Sequence, residues 1–111
     1  MNSEGGPTMK LYCDPVATSS RPILLFAAEH GLELDLEIVT LATGAHMDPA
    51  FGRINPSHHL PVLHDDGFVL TECSAILKYL ADLVRSPTYP SNIRPRARVN
   101  EVMDWFNTGF S

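Results

Sequence analysis

The sequence is poor in cysteine, in cationic side chains and in long apolar runs. Its 111 residues include two cysteines, Cys13 and Cys73, which form neither a closely spaced pair nor a disulfide framework. We therefore expect a reducing compartment, the cytoplasm. Eight Lys and Arg against thirteen Asp and Glu give a net charge of −5 without a basic stripe, which argues against a nucleic-acid partner. No segment is apolar over membrane-spanning length, which argues against a membrane partner.

Histidines are present, but their arrangement does not favour a metal site. His58 and His59 lie on an irregular loop and His64 follows in a strand, with no cysteine or acid at ligand spacing. We interpret them as surface residues and predict no metal.

The chain has the length and the 44% hydrophobic content for one small core. Residues 1–8 are polar and are predicted to be a disordered tail. The pattern that follows predicts β-α-β, with Pro22 in the first turn of the helix and Gly31 just beyond its end. The predicted elements are a strand Met9–Cys13, a helix Arg21–His30 and a strand near Asp35–Val39.

The next stretch predicts a hairpin followed by a helix. After an irregular, partly helical connection over Thr43–Arg53, two short apolar runs flank the turn residues Asp65-Asp66-Gly67. Thr71 is predicted to cap the helix, which carries apolar residues at helical spacing on one face. The predicted strands are Val62–His64 and Phe68–Leu70.

The C-terminal segment predicts a linker and one further helix. Two prolines interrupt Arg85–Asn92, and from Ile93 apolar residues again fall at helical spacing. Such a stripe on a terminal helix is expected to need a partner, which predicts dimerisation, domain swapping or poor solubility. The stripe comprises Val99, Val102, Met103, Phe106 and Phe110.

Two features near the hairpin point to binding chemistry. A proline directly before a strand removes an amide donor, and a cis Leu60-Pro61 bond would turn the Leu60 backbone outward, where an extended peptide can pair with it. Glu72 and Cys73 are predicted in the first turn of the helix, where free amides attract a carboxylate and the Glu72 side chain can hold an ammonium. Together these features indicate a site that holds both ends of an amino acid.

These motifs carry a resemblance. The order of elements, together with LYCDP, the GAH at Gly44–His46, NPSHHLPVL and LTECSAILKYL, resembles the thioredoxin-like N-terminal domain of cytosolic glutathione transferases, in theta-like or bacterial forms. The resemblance implies an α/β fold, βαβ-ββα, with a four-stranded mixed sheet, followed by the first helix of an otherwise missing all-α domain. It implies a tail 1–8, a glutathione-binding domain 9–84, a linker 85–92 and that helix in 93–111.

The resemblance also implies the roles of individual residues, with glutathione as co-substrate. Leu60 beside cis-Pro61 would pair its backbone with the cysteinyl part of glutathione. Glu72 and Cys73 would hold the γ-glutamyl end, and His46 and His59 would reach toward the glycyl carboxylate. The purely structural alternatives are a proline that only shapes a turn and an acid favoured by the helix dipole.

The chain also departs from the family pattern. Ala17 occupies the position of the serine that stabilises the glutathione thiolate in theta-like enzymes, and alanine has no donor. Thr18 and Ser19 are our candidates for substitutes, although Ser19 or Ser20 before Arg21-Pro22 is also typical of a helix N-cap.

Two further positions have competing interpretations. Cys73 replaces the usual serine, which weakens a donor to the γ-glutamyl carboxylate. The alternative to a merely tolerated exchange is a thiol that the helix N-terminus makes acidic and reactive. Tyr12 is a further catalytic candidate, with packing in the sheet as the alternative.

The functional prediction is a glutathione-binding domain of a detoxifying transferase that conjugates the glutathione thiolate to a small-molecule electrophile, in a homodimer. Because of Ala17 and the missing helical domain, this short chain is expected to be impaired or inactive, and its status as an enzyme is open. One alternative is a non-catalytic interaction module of the same fold. The other is a glutathione-dependent thiol-disulfide oxidoreductase.

Overall fold

The structure, a computed structural model, describes residues 9–16 and 20–109, and side chains as far as residue 104. The predicted tail 1–8 lies outside the described residues. Within them, ten elements follow one another. They are β1 (Met9–Cys13), α1 (Arg21–Glu29), β2 (Asp35–Ile38), two 3₁₀ turns (Leu41–Thr43 and Ala45–Met47), α2 (Pro49–Gly52), β3 (Val62–Asp65), β4 (Phe68–Thr71), α3 (Cys73–Leu83) and α4 (Ile93–Gly109).

The four strands form one mixed sheet in the order β2-β1-β3-β4. β1 runs parallel to β2 and antiparallel to β3, and β3 runs antiparallel to β4. Tyr12 lies opposite Val62, and Val62 in turn lies opposite Thr71. The end of β1, the start of β3 and the end of β4 therefore share one edge of the sheet. The predicted α/β fold with a four-stranded mixed sheet is confirmed.

Helix α1 begins and ends nearly as its sequence predicts. Gly31 adopts φ +63°, and the Leu32 N–H donates to the Ala27 carbonyl at 2.9 Å, which closes the helix C-terminus. Ser20 occupies the N-cap position, but its hydroxyl makes no capping bond and is buried without a partner among the described residues. The sequence predicted Ser19 or Ser20 as the residue that caps α1 with its side chain. For Ser20 this prediction is wrong, and Ser19 lies outside the described residues.

The predicted hairpin is present, and each strand is one residue longer than expected. Asp66 and Gly67 make the turn with φ +49° and +90°, as a two-residue hairpin loop requires. Thr71 is the last residue of β4, paired with Val62, and Glu72 separates it from α3. The prediction that Thr71 caps this helix is therefore wrong, because Thr71 is still paired in the sheet and the residue directly before the helix is Glu72.

A small apolar cluster lies under the sheet edge shared by these strands. Val39, Phe51 and Val62 are buried in it, and three partly buried side chains pack against them: Tyr12, Ile54 and Leu60. The cluster thus brings together β3, the loop before β3 and the connection that follows β2.

Asp14, which is also buried, holds the loops at this end together. One of its carboxylate oxygens accepts from the Val16 N–H and the other from the Leu41 N–H, both at 3.0 Å. These bonds satisfy amides of two loops that no strand partner reaches.

The chain divides into two compact units between Cys73 and Ser74. The predicted division into domains at 84 and 92 stays a prediction. In the second unit, Arg96 contacts Asp82 at 2.7 Å and lies 4.0 Å over the Tyr89 ring, and the Tyr89 hydroxyl donates to Asn100. These contacts connect α3, the linker and α4.

The predicted apolar stripe on α4 is only partly described. Val102 is 48% exposed, whereas Val99 and Met103 are half-buried, and the side chains of Phe106 and Phe110 lie outside the described residues. No helix in the described part of the chain is long and apolar enough to cross a membrane.

The apolar cluster generates a stability prediction. Phe51→Ala removes a ring that is 5% exposed and leaves a cavity beside Val62, so the free energy of unfolding should fall by about 3–5 kcal/mol. Met47→Ala, at a side chain that is 60% exposed, should change it by no more than about 0.5 kcal/mol. Denaturant unfolding of the full chain measures both values, and equal midpoints for the two variants would contradict the assigned core.

Candidate functional site

The candidate site lies where β3 begins and β4 ends. The pairing of Val62 with Thr71 brings Leu60 and Pro61, which precede β3, close to Glu72, which follows β4. The Leu60-Pro61 peptide bond is cis, as the resemblance implies. No hydrogen bond joins the Leu60 N–H or C=O to another described residue. One donor and one acceptor of the main chain are therefore open to a ligand beside Glu72.

Glu72 connects β4 to α3 in a left-handed conformation. Its φ is +74°, which costs a non-glycine residue about 1–2 kcal/mol, and its side chain is exposed. The prediction that Glu72 lies in the first helical turn is corrected, since α3 begins one residue later at Cys73. Glu72 thus presents a carboxylate directly before free helix amides.

Cys73 opens α3 with a half-buried thiol. Burial raises the pKa of this thiol above its ordinary value, and the neighbouring Glu72 charge raises it further. The thiol is therefore neutral at neutral pH and a poor nucleophile. Its backbone amide, at the helix N-terminus, is the donor that this position offers to a carboxylate.

Two histidines meet beside this edge, and only one of them was predicted as a site residue. His58 donates from Nδ1 to the His46 carbonyl at 2.8 Å, and its ring lies edge-on to Phe51. A Cβ on Gly52 would lie 2.8 Å from the Cε1 of the His58 ring, so the ring fits there only because residue 52 is a glycine. His46 itself is half-buried, with Nδ1 unpartnered among the described residues.

His59, a residue predicted to bind the ligand, is exposed, and its main-chain carbonyl accepts a hydrogen bond from another part of the loop. Asn55, which is 6% exposed, donates from Nδ2 to the His59 carbonyl at 2.9 Å. The Asn55 Oδ1 accepts from the N–H and the hydroxyl of Ser57 at 3.2 and 3.0 Å. No role was predicted for Asn55 from the sequence, although an Asn before Pro is typical of a turn in which the Asn side chain accepts from the main chain two residues on, as it does here from Ser57.

The predicted catalytic residues Thr18 and Ser19, together with Ala17, lie outside the described residues, so their roles stay predictions. Tyr12 packs against the cluster with its ring centroid 6.1 Å from that of Phe51, which fits the packing alternative. Cys13 is fully buried, and burial followed by the Asp14 charge raises the pKa of its thiol. Among the described residues, no three His, Cys, Asp or Glu side chains gather to hold a metal ion.

Comparison with known proteins identifies the family. A family model described as the N-terminal domain of glutathione S-transferase matches residues 18–83. The chain belongs to the glutathione S-transferase family. It is 38% identical over 103 residues to glutathione S-transferase theta-1 of Mus musculus, covering 91% of this chain and 43% of that protein. It is 41% identical over 99 residues to theta-2 of Homo sapiens, covering 87% and 41%.

Solved transferase structures agree with the fold. Human glutathione transferase theta-2, crystallised with glutathione and an unknown ligand, superposes with a TM-score of 0.84 at 40% identity, covering 90% of this chain and 42% of that one. A Bombyx mori glutathione transferase superposes with a TM-score of 0.85 at 30% identity, covering 93% and 49%. This transferase chain thus spans about two fifths of the length of the curated relatives it matches.

The environment of Cys73 generates a pH-dependent prediction. Glu72→Gln removes the charge that adds to the effect of burial, so the pKa of the thiol should fall while staying above its ordinary value. The midpoint of Cys73 alkylation against pH should therefore move to lower pH, measured by mass spectrometry of the labelled peptide. Glu33→Gln is the control, and a midpoint that Glu72→Gln leaves unchanged would contradict the assignment.

Proposed function

We propose that the edge formed by Leu60, Glu72 and Cys73 binds glutathione. The observation that carries this proposal is the Val62–Thr71 pairing, which brings an unpaired backbone and a carboxylate at a helix start to the same end of the hairpin. The crystallised relative human theta-2 carries glutathione, and the chain is 40% identical to it.

Each group has a partner in glutathione. The N–H and C=O of Leu60 pair with the cysteinyl residue as a short antiparallel strand. The Glu72 carboxylate accepts from the γ-glutamyl ammonium, and the Cys73 amide donates to the γ-glutamyl carboxylate. His46 and His59 supply imidazoles for the glycyl carboxylate, and His58, bonded to the His46 carbonyl, fixes the backbone of one of them.

In the whole protein, we propose transfer of the glutathione sulfur to an electrophilic carbon. The thiolate attacks the carbon, a C–S bond forms, and the leaving group departs with its electron pair. This step requires a stabilised thiolate, and Ala17 has no hydroxyl to donate to it. Thr18 and Ser19 remain our candidates for that donor. We further propose that the substrate is a small-molecule electrophile and that the whole protein acts as a homodimer in the cytoplasm.

A second function, a non-catalytic interaction module of the same fold, is favoured by the chemistry of two positions. Ala17 withholds a donor from the sulfur, and Cys73 is a weaker donor than serine toward the γ-glutamyl end. The oxidoreductase alternative is not supported by Cys73, whose raised pKa disfavours the reactive thiolate.

Binding is tested by calorimetry on the full chain with glutathione up to millimolar concentration. Glu72→Gln removes a hydrogen bond between charged groups worth about 1.5–3 kcal/mol, so the dissociation constant should rise by about 10- to 150-fold. Glu33→Gln, which changes the same charge on an exposed loop, should leave it unchanged. Absence of heat from the native chain would refute the proposed function.

The role of Ala17 is tested through the acidity of bound glutathione. Ala17→Ser introduces a donor to the sulfur anion and should lower the thiol pKa by about one unit or more, measured by the ultraviolet absorbance of the thiolate against pH. If Ser19 already donates to the glutathione sulfur, Ser19→Ala in the native background should raise the pKa of the bound glutathione thiol. No shift in either variant would favour binding without catalysis.

A further inference from the structure

Leu60 and His59 share one peptide group, and only one end of it is held. The His59 carbonyl accepts from Asn55 Nδ2 at 2.9 Å, whereas the Leu60 N–H at the opposite end makes no hydrogen bond with another described residue. Because a peptide group is planar, the direction of its C=O sets the direction of its N–H. Asn55 therefore determines where the open Leu60 donor points.

The Asn55 side chain is itself held from several sides. It is 6% exposed, its Oδ1 accepts from the N–H and the hydroxyl of Ser57, and its own N–H donates to the Phe51 carbonyl at 2.9 Å. Its carbonyl accepts from the His58 N–H at 2.9 Å. With the main chain bonded at N–H and C=O and the side chain bonded at Oδ1, Asn55 is held in the orientation in which Nδ2 donates to the His59 carbonyl.

We propose that Asn55 is a positioning residue for glutathione, acting through the His59–Leu60 peptide group. It aims the Leu60 N–H at the cysteinyl carbonyl, and its hydrogen bond to the carbonyl end polarises the peptide group and strengthens that donor. Asn55 touches no ligand atom. This inference rests on the proposed glutathione binding.

Two variants of Asn55 and one control separate this role from general support of the loop. Asn55→Asp keeps the acceptor toward Ser57 but has no donor for His59, and the uncharged Asn55→Gln moves the amide one methylene further out. Both should weaken glutathione binding by about tenfold or more in calorimetry on the full chain. Asn92→Asp, the same exchange at an exposed side chain of the second unit, is the control and should change the dissociation constant by less than about twofold.

A ligand analogue makes the test specific. Replacing the cysteinyl–glycyl amide of glutathione by an (E)-alkene removes the carbonyl that the Leu60 N–H is proposed to contact. Native chain and Asn55 variants should then bind the analogue with dissociation constants within about twofold of each other, because no acceptor remains for the aimed donor. General loosening of the loop would instead weaken both ligands by the same factor.

Each outcome decides the matter. Asn55 variants that bind glutathione as the native chain does, or that lose both ligands equally, overturn the positioning role while leaving the proposed function intact. A native chain that does not bind glutathione overturns both. If neither Asn55 variant folds, the scalar coupling across the Asn55–His59 hydrogen bond in the labelled, glutathione-bound native chain decides, and its absence overturns the proposal.

Discussion

The pairing of β3 with β4 is the constraint on which the candidate site depends. Because Val62 lies opposite Thr71, the loop that enters β3 and the residue that leaves β4 are held side by side by the main chain. A shift of one residue in this register would turn every side chain of β4 to the other face and move Glu72 away from Leu60. The two-residue turn at Asp66 and Gly67 fixes that register, so a turn at one end of the hairpin determines the site at the other.

Around this hairpin, the loops are held by buried polar side chains rather than by apolar packing alone. Asp14 bonds amides at Val16 and Leu41, and Asn55 bonds the turn that leads to Leu60. Such groups are costly to bury unless each polar atom finds a partner, so they tolerate few alternative loop conformations. The open main-chain groups of Leu60 thus lie in a loop that the bonded Asn55 side chain holds in place, which would favour the binding of a ligand without rearrangement.

The chemistry of binding and the chemistry of the reaction are separable in this family member. In the proposed site, Glu72 and the Leu60 backbone carry the recognition of glutathione, whereas the proposed donors to its sulfur are Thr18 and Ser19. Stabilising the thiolate of glutathione requires a donor at its sulfur. The protein's own thiol at Cys73 is a different group, and both its burial and the Glu72 charge disfavour its anion. Under the proposed function, the departures at Ala17 and Cys73 therefore bear on reactivity and on the strength of glutathione binding, respectively.

The sequence alone determined the order of the elements, because strand periodicity, the Asp66-Gly67 turn and Gly31 after α1 act over a few residues. It also indicated Leu60, Pro61 and Glu72 as neighbours in function, through motifs of the transferase family. It missed that Thr71 remains in β4, that His58 contacts the His46 carbonyl and that Asn55 holds the His59 carbonyl. Only the tertiary structure decided these points, because a hydrogen bond across a folded loop depends on distances and backbone angles that residue types by themselves do not specify.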